Sequence, residues 1–351
     1  MSERVVVAMS GGVDSSVAAA RVVEAGAEAI GVTLHRAGSD SRCCSLADAD
    51  DARRVAERLG IRFYVANFKD AFRREVIEPF ADAYLAGRTP IPCVACNKRF
   101  KFDYLLERAR VFGAAKVASG HYARVDVDPE TGRHRLLRAV DAEKDQTYFL
   151  FQLDQSQLAA VSFPLGGLTK EAVREQARAL GLVTADKPES QEICFVPDGD
   201  YARVVGEIRP GALAGAGDIV DGAGRVLGRH PGVHHFTVGQ RKGLGLTSER
   251  PLYVTAIDAA TNRVEVGDAE SLGSRRALVT QVSWIAGEPP PAGTRARVRV
   301  RYRHEGAEAA LEPLDDGSAL VHFDEPVRAV APGQAAVFYD GDAVLGGGWL
   351  A

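Results

Sequence analysis

The sequence predicts an α/β protein in which a parallel sheet with helices on both faces is followed by a small β-rich central unit and a β-barrel-like C-terminal unit. Three observations predict it. The run Val5-Val6-Val7-Ala8-Met9 is apolar, β-branched and of strand length, and Val17, Ala20 and Val23 follow it at helical spacing. Strands and helices then alternate up to about residue 205, the pattern of a parallel sheet covered on both sides. Beyond about Val204, short strands broken by glycine and proline take over and the helical period fades. Pro289-Pro290-Pro291 and a change in charge divide this half again, giving expected units at residues 1–205, 206–270 and 271–351.

The first connection is the most informative. Ser10-Gly11-Gly12-Val13-Asp14-Ser15 joins the first strand to the first helix. Two adjacent glycines let the backbone approach a ligand, and the N–H groups and positive dipole end of the helix start attract an anion. The loop lacks a Gly-Lys-Ser/Thr ending, so it is not the phosphate loop whose lysine reaches the terminal phosphates. Its SGGxDS form is that of the PP-loop, in which ATP is split into AMP and pyrophosphate. An ordinary turn of small residues is the plainer alternative, and the register of strand, glycines, aspartate and serine speaks against it. A strand is expected next over 29–34, a helix over 47–59, a strand over 62–66, helices between 70 and 112, and a strand over 116–118. Ligands of such sheets sit beyond the carboxyl ends of the strands, so Leu34-His35 and Ser119-Gly120-His121 should line the same crevice as the loop.

At 351 residues, 46% hydrophobic and 26% charged, the chain has the composition of a soluble globular protein of two or three domains. No membrane-length apolar stretch or export signal is evident, and the expected location is the cytoplasm. A formal net charge of −4 argues against indiscriminate coating of nucleic acid. The charge is uneven, with 14 basic against 10 acidic residues over 206–305 and 1 against 8 over 306–351. Arg295, Arg297, Arg299, Arg301 and Arg303 alternate with Ala296, Val298, Val300 and Tyr302, which would put five guanidiniums on one strand face. Such a face is a candidate RNA-backbone contact, or else a solvated face neutralised by carboxylates. His234-His235 reads as a surface turn, and residues 238–246 as a hairpin or a phosphate-contacting loop.

Five cysteines, an odd number, favour catalytic, metal-binding or buried thiols over structural disulfides in a reducing compartment. Cys93 and Cys96 form a CxxC whose neighbours Lys98, Arg99 and Lys101 would favour thiolate, and Cys194 stands far away. Redox or nucleophilic chemistry, structural zinc and inert burial all stay open on spacing alone. Zinc wants four ligands, and the adjacent Cys43 and Cys44 suit a tetrahedral site poorly, so for them the inert reading leads.

Loop and cysteines together resemble the bacterial tRNA-specific 2-thiouridylases of the MnmA type, within the PP-loop ATP pyrophosphatase superfamily. The resemblance covers nearly the whole chain and runs through Gly31-Val32-Thr33-Leu34, Cys96-Asn97-Lys98-Arg99-Phe100-Lys101-Phe102, Ser119-Gly120-His121-Tyr122 and Lys144-Asp145-Gln146-Thr147-Tyr148-Phe149-Leu150. It continues in Lys187-Pro188-Glu189-Ser190-Gln191-Glu192-Ile193-Cys194-Phe195, Val238-Gly239-Gln240-Arg241-Lys242-Gly243-Leu244-Gly245 and Pro332-Gly333-Gln334. It implies an adenine nucleotide alpha hydrolase-like first domain and replacement of the O2 of a wobble uridine by sulfur. ATP would lie at Ala8, Met9, Ser10, Gly11, Gly12, Val13, Asp14, Ser15, Leu34 and Gly120, with magnesium and Asp14 positioning the triphosphate. Cys194 would carry a persulfide delivered by a cysteine desulfurase or a sulfur relay protein. Cys96 would be the nucleophile that frees the sulfur, leaving a Cys96 to Cys194 disulfide. His121, Lys144, Asp145, Gln146, Arg301, Tyr302 and Gln334 would face tRNA.

One departure stands out, because the better-known members carry aspartate where this chain has Cys93. A thiol is a weak acceptor and cannot inherit a carboxylate's task near the target base. A second arrangement follows, a [4Fe-4S] cluster held by Cys93, Cys96 and Cys194. Two other functions compete. A PP-loop ligase adenylating a small carboxylate would need neither Cys96 nor Cys194, and a tRNA- or nucleotide-binding module without catalysis would need none of Ser10, Asp14, Cys96 and Cys194.

Overall fold

The computed structural model describes residues 3–35, 46–189 and 193–351, so Cys43 and Cys44 lie outside the described residues. Valine-rich β1 (Arg4–Ala8) is the middle strand of a five-stranded parallel sheet. On one side lie β2 (Glu28–His35) and β3 (Arg62–Asn67), and on the other β4 (Lys116–Ser119) and β7 (Val161–Ser162). Strand alternation sends Val5 and Val7 into one core and Val6 into another. The first core is closed by α1 (Val13–Glu24), α2 (Leu46–Leu59) and α8 (Lys170–Ala179), through Val17, Val55 and Val173. The second is closed by α3 (Lys69–Phe72) and by a run that starts as α5 (Pro92–Ala95), continues as a π-helical stretch, Cys96–Tyr104, and ends as α6 (Leu105–Val111). Phe72, Phe100 and Leu105 fill it against Val6, Ile30 and Val32.

The order of the strands reverses at β1. From β1 the chain moves outward to β2 and β3, then returns to β4 on the opposite flank. The crevice beyond the carboxyl ends of β1 and β4 is therefore the topological switch point where open sheets bind ligands.

A hairpin of β5 (Ala123–Val127) and β6 (His134–Arg138) leaves this sheet and pairs at Leu137 with Ala343 of the last strand. That strand, β17 (Ala343–Leu350), closes a six-stranded barrel with β12 (Gly273–Trp284), β13 (Thr294–Arg299), β14 (Ala307–Pro313), β15 (Ala319–Arg328) and β16 (Ala335–Asp340). Phe102, Tyr148 and Phe151 share a core with Ile285, Val337 and Tyr339, so the barrel is fixed to the first unit by continuous apolar packing. Between them lies a four-stranded sheet of β8 (Gly217–Asp221), β9 (Val226–His230), β10 (Tyr253–Asp258) and β11 (Arg263–Gly267), with a core of its own around Ile219, Val254 and Val264. Helix α9 (Tyr201–Ile208) packs on α4 (Glu78–Leu85) through Val204, Val205, Phe80 and Tyr84. A division at residue 205 would cut this helix.

Two expectations need correction here. The five arginines do not share one free strand face. β13 ends at Arg299, and Arg301 and Arg303 lie beyond it. Arg295 pairs with Asp324 of β15 at 2.5 Å and Arg297 with Glu308 of the adjacent β14 at 2.9 Å, so carboxylates from other strands neutralise that face. Arg299 turns inward to Asp145 at 3.2 Å. His234 lies in a short 3-10 turn, Val233–His235, and is buried rather than exposed. Among the described residues no helix is long and apolar enough to cross a membrane.

Candidate active site

The loop after β1 is held open by its own hydroxyls. The Ser15 hydroxyl accepts from the Ser10 N–H at 3.1 Å and donates to the Gly12 carbonyl at 3.0 Å, while Ser16 donates to the same carbonyl at 2.9 Å. Gly12 is the N-cap of α1 with no side-chain hydrogen bond to the helix start, which leaves first-turn N–H groups facing the crevice. Gly11 has φ +72°, and a side chain there would collide with the Asp48 backbone. Gly120, after β4, is also tightly placed, since a Cβ on it would lie 2.7 Å from Asp14 C and Ser15 N. Thr33 of β2 donates to the Met9 carbonyl at 2.6 Å, and Leu34 is buried beside it. The loop, Leu34 and Gly120 thus meet where three strands end.

No lysine belongs to the loop, yet two reach it from other elements. Lys170, at the start of α8, donates to both oxygens of Asp14 at 2.7 and 2.9 Å and pairs with Glu189 at 3.0 Å. Its side chain is only 6% exposed. Tyr122 donates to the same Asp14 at 2.9 Å, and burial and then the Asp14 charge push its phenol far above the usual range, so it stays protonated. Lys144 holds the other oxygen of Glu189 at 2.9 Å. Burial works against the Glu189 charge, but the hydrogen bonds and charges of Lys144 and Lys170 outweigh it and hold the carboxyl below its ordinary value. Lys187 donates to the Gly11 carbonyl at 2.9 Å and to Asp48 and Asp51 at 2.7 and 2.6 Å.

Cys96 begins the π-helical stretch and is buried in the core that contains Val6, Ile30, Val32 and Leu34. Cys194 and Phe195 pack against that same core, which also holds Val6 of β1 and Ile30, Val32 and Leu34 of β2. Cys93, one helical turn earlier, is half-buried. A π-bulge at such a position is a recurrent feature of functional sites. Two of the cations expected to favour a thiolate at the CxxC, Lys98 and Lys101, are engaged elsewhere. Lys98 pairs with Asp154, the N-cap of α7 (Gln155–Ala160), at 3.2 Å, and Lys101 lies 3.3 Å from His121. Among the described residues no three side chains of His, Cys, Asp or Glu come together as a metal-binding group. The structure thus lends no support to the iron–sulfur arrangement at Cys93, Cys96 and Cys194.

Profiles of a tRNA methyl transferase HUP domain, a tRNA methyl transferase PRC-barrel domain and an aminomethyltransferase β-barrel domain match residues 3–198, 210–268 and 274–350. The tRNA-specific 2-thiouridylase MnmA of Geotalea uraniireducens is 52% identical over 358 residues, covering 99% of this chain and 95% of its own. That of Heliobacterium modesticaldum is 50% identical over 357 residues, covering 100% and 93%. The chain belongs to the tRNA-specific 2-thiouridylase family. Among solved structures, NMN synthetase from Francisella tularensis aligns with a TM-score of 0.36 at 19% identity over 60% of this chain and 77% of that one, a likeness that carries no argument.

The residues that the resemblance places at tRNA are found in different settings. Lys144 and Gln146 are half-buried, the Gln146 amide oxygen accepting from the Tyr122 N–H at 3.0 Å. Asp145, between them, points inward with a side chain 1% exposed. It binds Arg138 at 3.3 Å, Arg299 at 3.2 Å and the Thr147 hydroxyl at 2.9 Å, which makes it a structural hub. His121 is buried too. Lys101 donates to its Nε2, which leaves Nδ1–H to donate to Ser119 at 2.8 Å, and burial followed by the Lys101 charge keeps the ring neutral well below its ordinary pKa. Arg301 is exposed, Tyr302 packs on Phe149 with ring centroids 4.5 Å apart, and Gln334 donates to the Thr89 carbonyl at 3.0 Å.

Sequence reasoning missed Lys170, Lys187, Glu189 and Tyr122. One signal was available. A lysine in the first turn of a helix opposes the macrodipole, so Lys170 directly after the Thr169 N-cap needed an anion to face.

Proposed function

We propose that this chain is a tRNA-uridine 2-sulfurtransferase, using ATP to activate O2 of a wobble uridine and replacing that oxygen by sulfur. The observation that supports the proposal is that the SGGxDS loop follows β1 while Cys96 and Cys194 both belong to the core packed on β1 and β2. A uracil carbonyl oxygen is a poor leaving group. Attack of O2 on the α-phosphate forms an O2–AMP bond and expels pyrophosphate, and AMP is then a good leaving group from C2. Residues 8–15, Leu34 and Gly120 hold the nucleotide in this reading, with loop N–H groups facing phosphate. Magnesium fits as counter-ion of the triphosphate, with Asp14 the carboxylate on the loop.

Sulfur comes as a Cys194 persulfide. Attack of the Cys96 thiolate on the inner sulfur releases hydrosulfide and forms a Cys96 to Cys194 disulfide, and hydrosulfide displaces AMP from C2. A thiol reductant then restores both cysteines. The persulfide is supplied by a cysteine desulfurase or a relay protein, and Lys144, Gln146, Arg301, Tyr302 and Gln334, with His121 beneath them, form the tRNA side. The three units, with junctions near residues 209 and 270, divide the work between activation in the first and RNA binding in the others.

The test is mass spectrometry of wobble uridines after incubating the purified protein with unmodified tRNA, ATP and a persulfide donor. Thiouridine should form, disappear in Cys194→Ala, and need no iron. Pyrophosphate exchange should require tRNA. Exchange driven by a small carboxylate without tRNA would place the chain among the ligases, and a methylated product would place it with the methyltransferases its domain profiles are named for. Activity that depends on bound iron and sulfide would restore the cluster.

A further inference from the structure

We propose that Lys170 and Glu189 are positioning residues that transmit the state of the ATP loop to the segment carrying Cys194. The proposal rests on the reading that the loop holds nucleotide and Cys194 carries sulfur. An ammonium has three N–H donors, and those of Lys170 are shared between two oxygens of Asp14 and one of Glu189, at 2.7, 2.9 and 3.0 Å. Asp14 stands in the first turn of α1, where the loop meets phosphate. Glu189 stands in the short segment that leads to Cys194. Its second oxygen is held by Lys144, on the tRNA side, at 2.9 Å. One carboxylate thus receives a cation from each substrate's flank.

Charge decides how the link acts. A triphosphate entering the loop draws on Lys170 or, with its cation, on Asp14. Either change alters how firmly Lys170 holds Glu189. With Lys170 almost wholly buried, water does little to screen that change. Two neighbouring ties cannot serve this purpose. Thr184 to Ser16, at 2.9 Å, joins two neutral hydroxyls, and Lys187 is already flanked by Asp48 and Asp51. They hold the segment in place, whereas Lys170 responds to what occupies the loop.

The experiment uses the full-length protein without tRNA, measuring iodoacetamide alkylation of Cys194 by peptide mass spectrometry with and without saturating magnesium and an ATP analogue that cannot be cleaved between its α and β phosphates. The analogue should change the Cys194 rate by about fivefold or more. Glu189→Gln and Lys170→Met should bring that ratio to near one while the analogue still binds, and Lys170→Arg should restore part of it. Arg178→Ala, which removes an exposed pair with Asp186 on the same helix, should leave it unchanged. The proposal is overturned if the wild-type rate ignores the analogue, or if Glu189→Gln, folded by circular dichroism and binding the analogue, keeps the full ratio. Failure of tRNA thiolation with this coupling intact would count against the proposed function and not against the link.

Discussion

Gly120→Ala tests the crevice with one methyl group. A Cβ on Gly120 falls 2.7 Å from Asp14 C and Ser15 N, and ordinary contact begins at 3.4 Å, so the end of β4 and the first turn of α1 must part by about 0.7 Å. Both contacts are backbone, anchored in the central strands and in a buried helix, and no flexible side chain can swing aside. Overpacking of this kind costs about 1–3 kcal/mol and should lower the melting temperature by a few degrees. The larger effect falls on chemistry, because a shift of about 1 Å in a positioned group can cost on the order of a hundredfold. A loss of between about tenfold and a hundredfold in kcat/KM for ATP is expected in tRNA-dependent pyrophosphate exchange. Gly167→Ala is the matched control, since Gly167 is exposed and a Cβ there meets nothing within 4 Å. If folded Gly120→Ala keeps ATP kinetics within about twofold of Gly167→Ala, nucleotide does not lie in this crevice and the argument from close approach is wrong.

Other predictions follow from the same geometry. Asp145→Asn removes the carboxylate that holds two guanidiniums in the shared core, and a urea titration should show a loss of about 3 kcal/mol while folded protein binds tRNA with unchanged affinity. Arg301→Ala should reduce the salt slope of tRNA binding by about one unit, whereas Arg295→Ala, whose guanidinium is already neutralised by Asp324, should leave the slope as it is. Acid should destabilise the fold through His121. Its folded pKa lies below the ordinary 6.5, so above pH 6.5 its contribution is fully present; as pH falls further, the unfolded chain takes up a proton the fold refuses, and stability drops. The slope is at most about 1.4 kcal/mol per pH unit for this group, and His230, His234 and His304, also lowered by burial, steepen it. Melting temperatures that stay flat between pH 7 and pH 5 would refute this.

The first unit was legible because its signals are local. Three valines in β1, two glycines and a helical apolar stripe lie within a few residues of one another, so one window of sequence contains the strand, the turn and the helix. The C-terminal unit was legible as β-rich and barrel-like, but which strands close the ring was not. Closure depends on β12 finding β17 at the far end of the chain, and on β6, from the first unit, adding to the same sheet. Nothing in either strand encodes its partner. The arginine run misled for a related reason. Period two predicts a common face, but Asp324 and Glu308, which neutralise that face, come from other strands.

The site divides along the same line between local and distant contacts. Residues 10–15 could be read directly, and the missing loop lysine was noticed, but its replacement lies 156 positions away in Lys170. Lys144-Asp145-Gln146 was taken as one unit facing RNA, whereas the backbone turns Asp145 into the core, and two arginines have to meet it there to satisfy a buried carboxylate. The cysteines show what distance conceals. Spacing alone links Cys93 with Cys96, whereas Cys96 and Cys194, nearly a hundred positions apart in sequence, share one core, to which Cys93 does not belong. A loop without its own lysine thus takes cations from residues 170 and 187, and Lys170 also grips the carboxylate just ahead of the sulfur-bearing segment. On the proposed reading, Lys170→Met should therefore disturb both half-reactions together, in pyrophosphate exchange and in sulfur release from Cys194, whereas Lys187→Met should act on the loop alone.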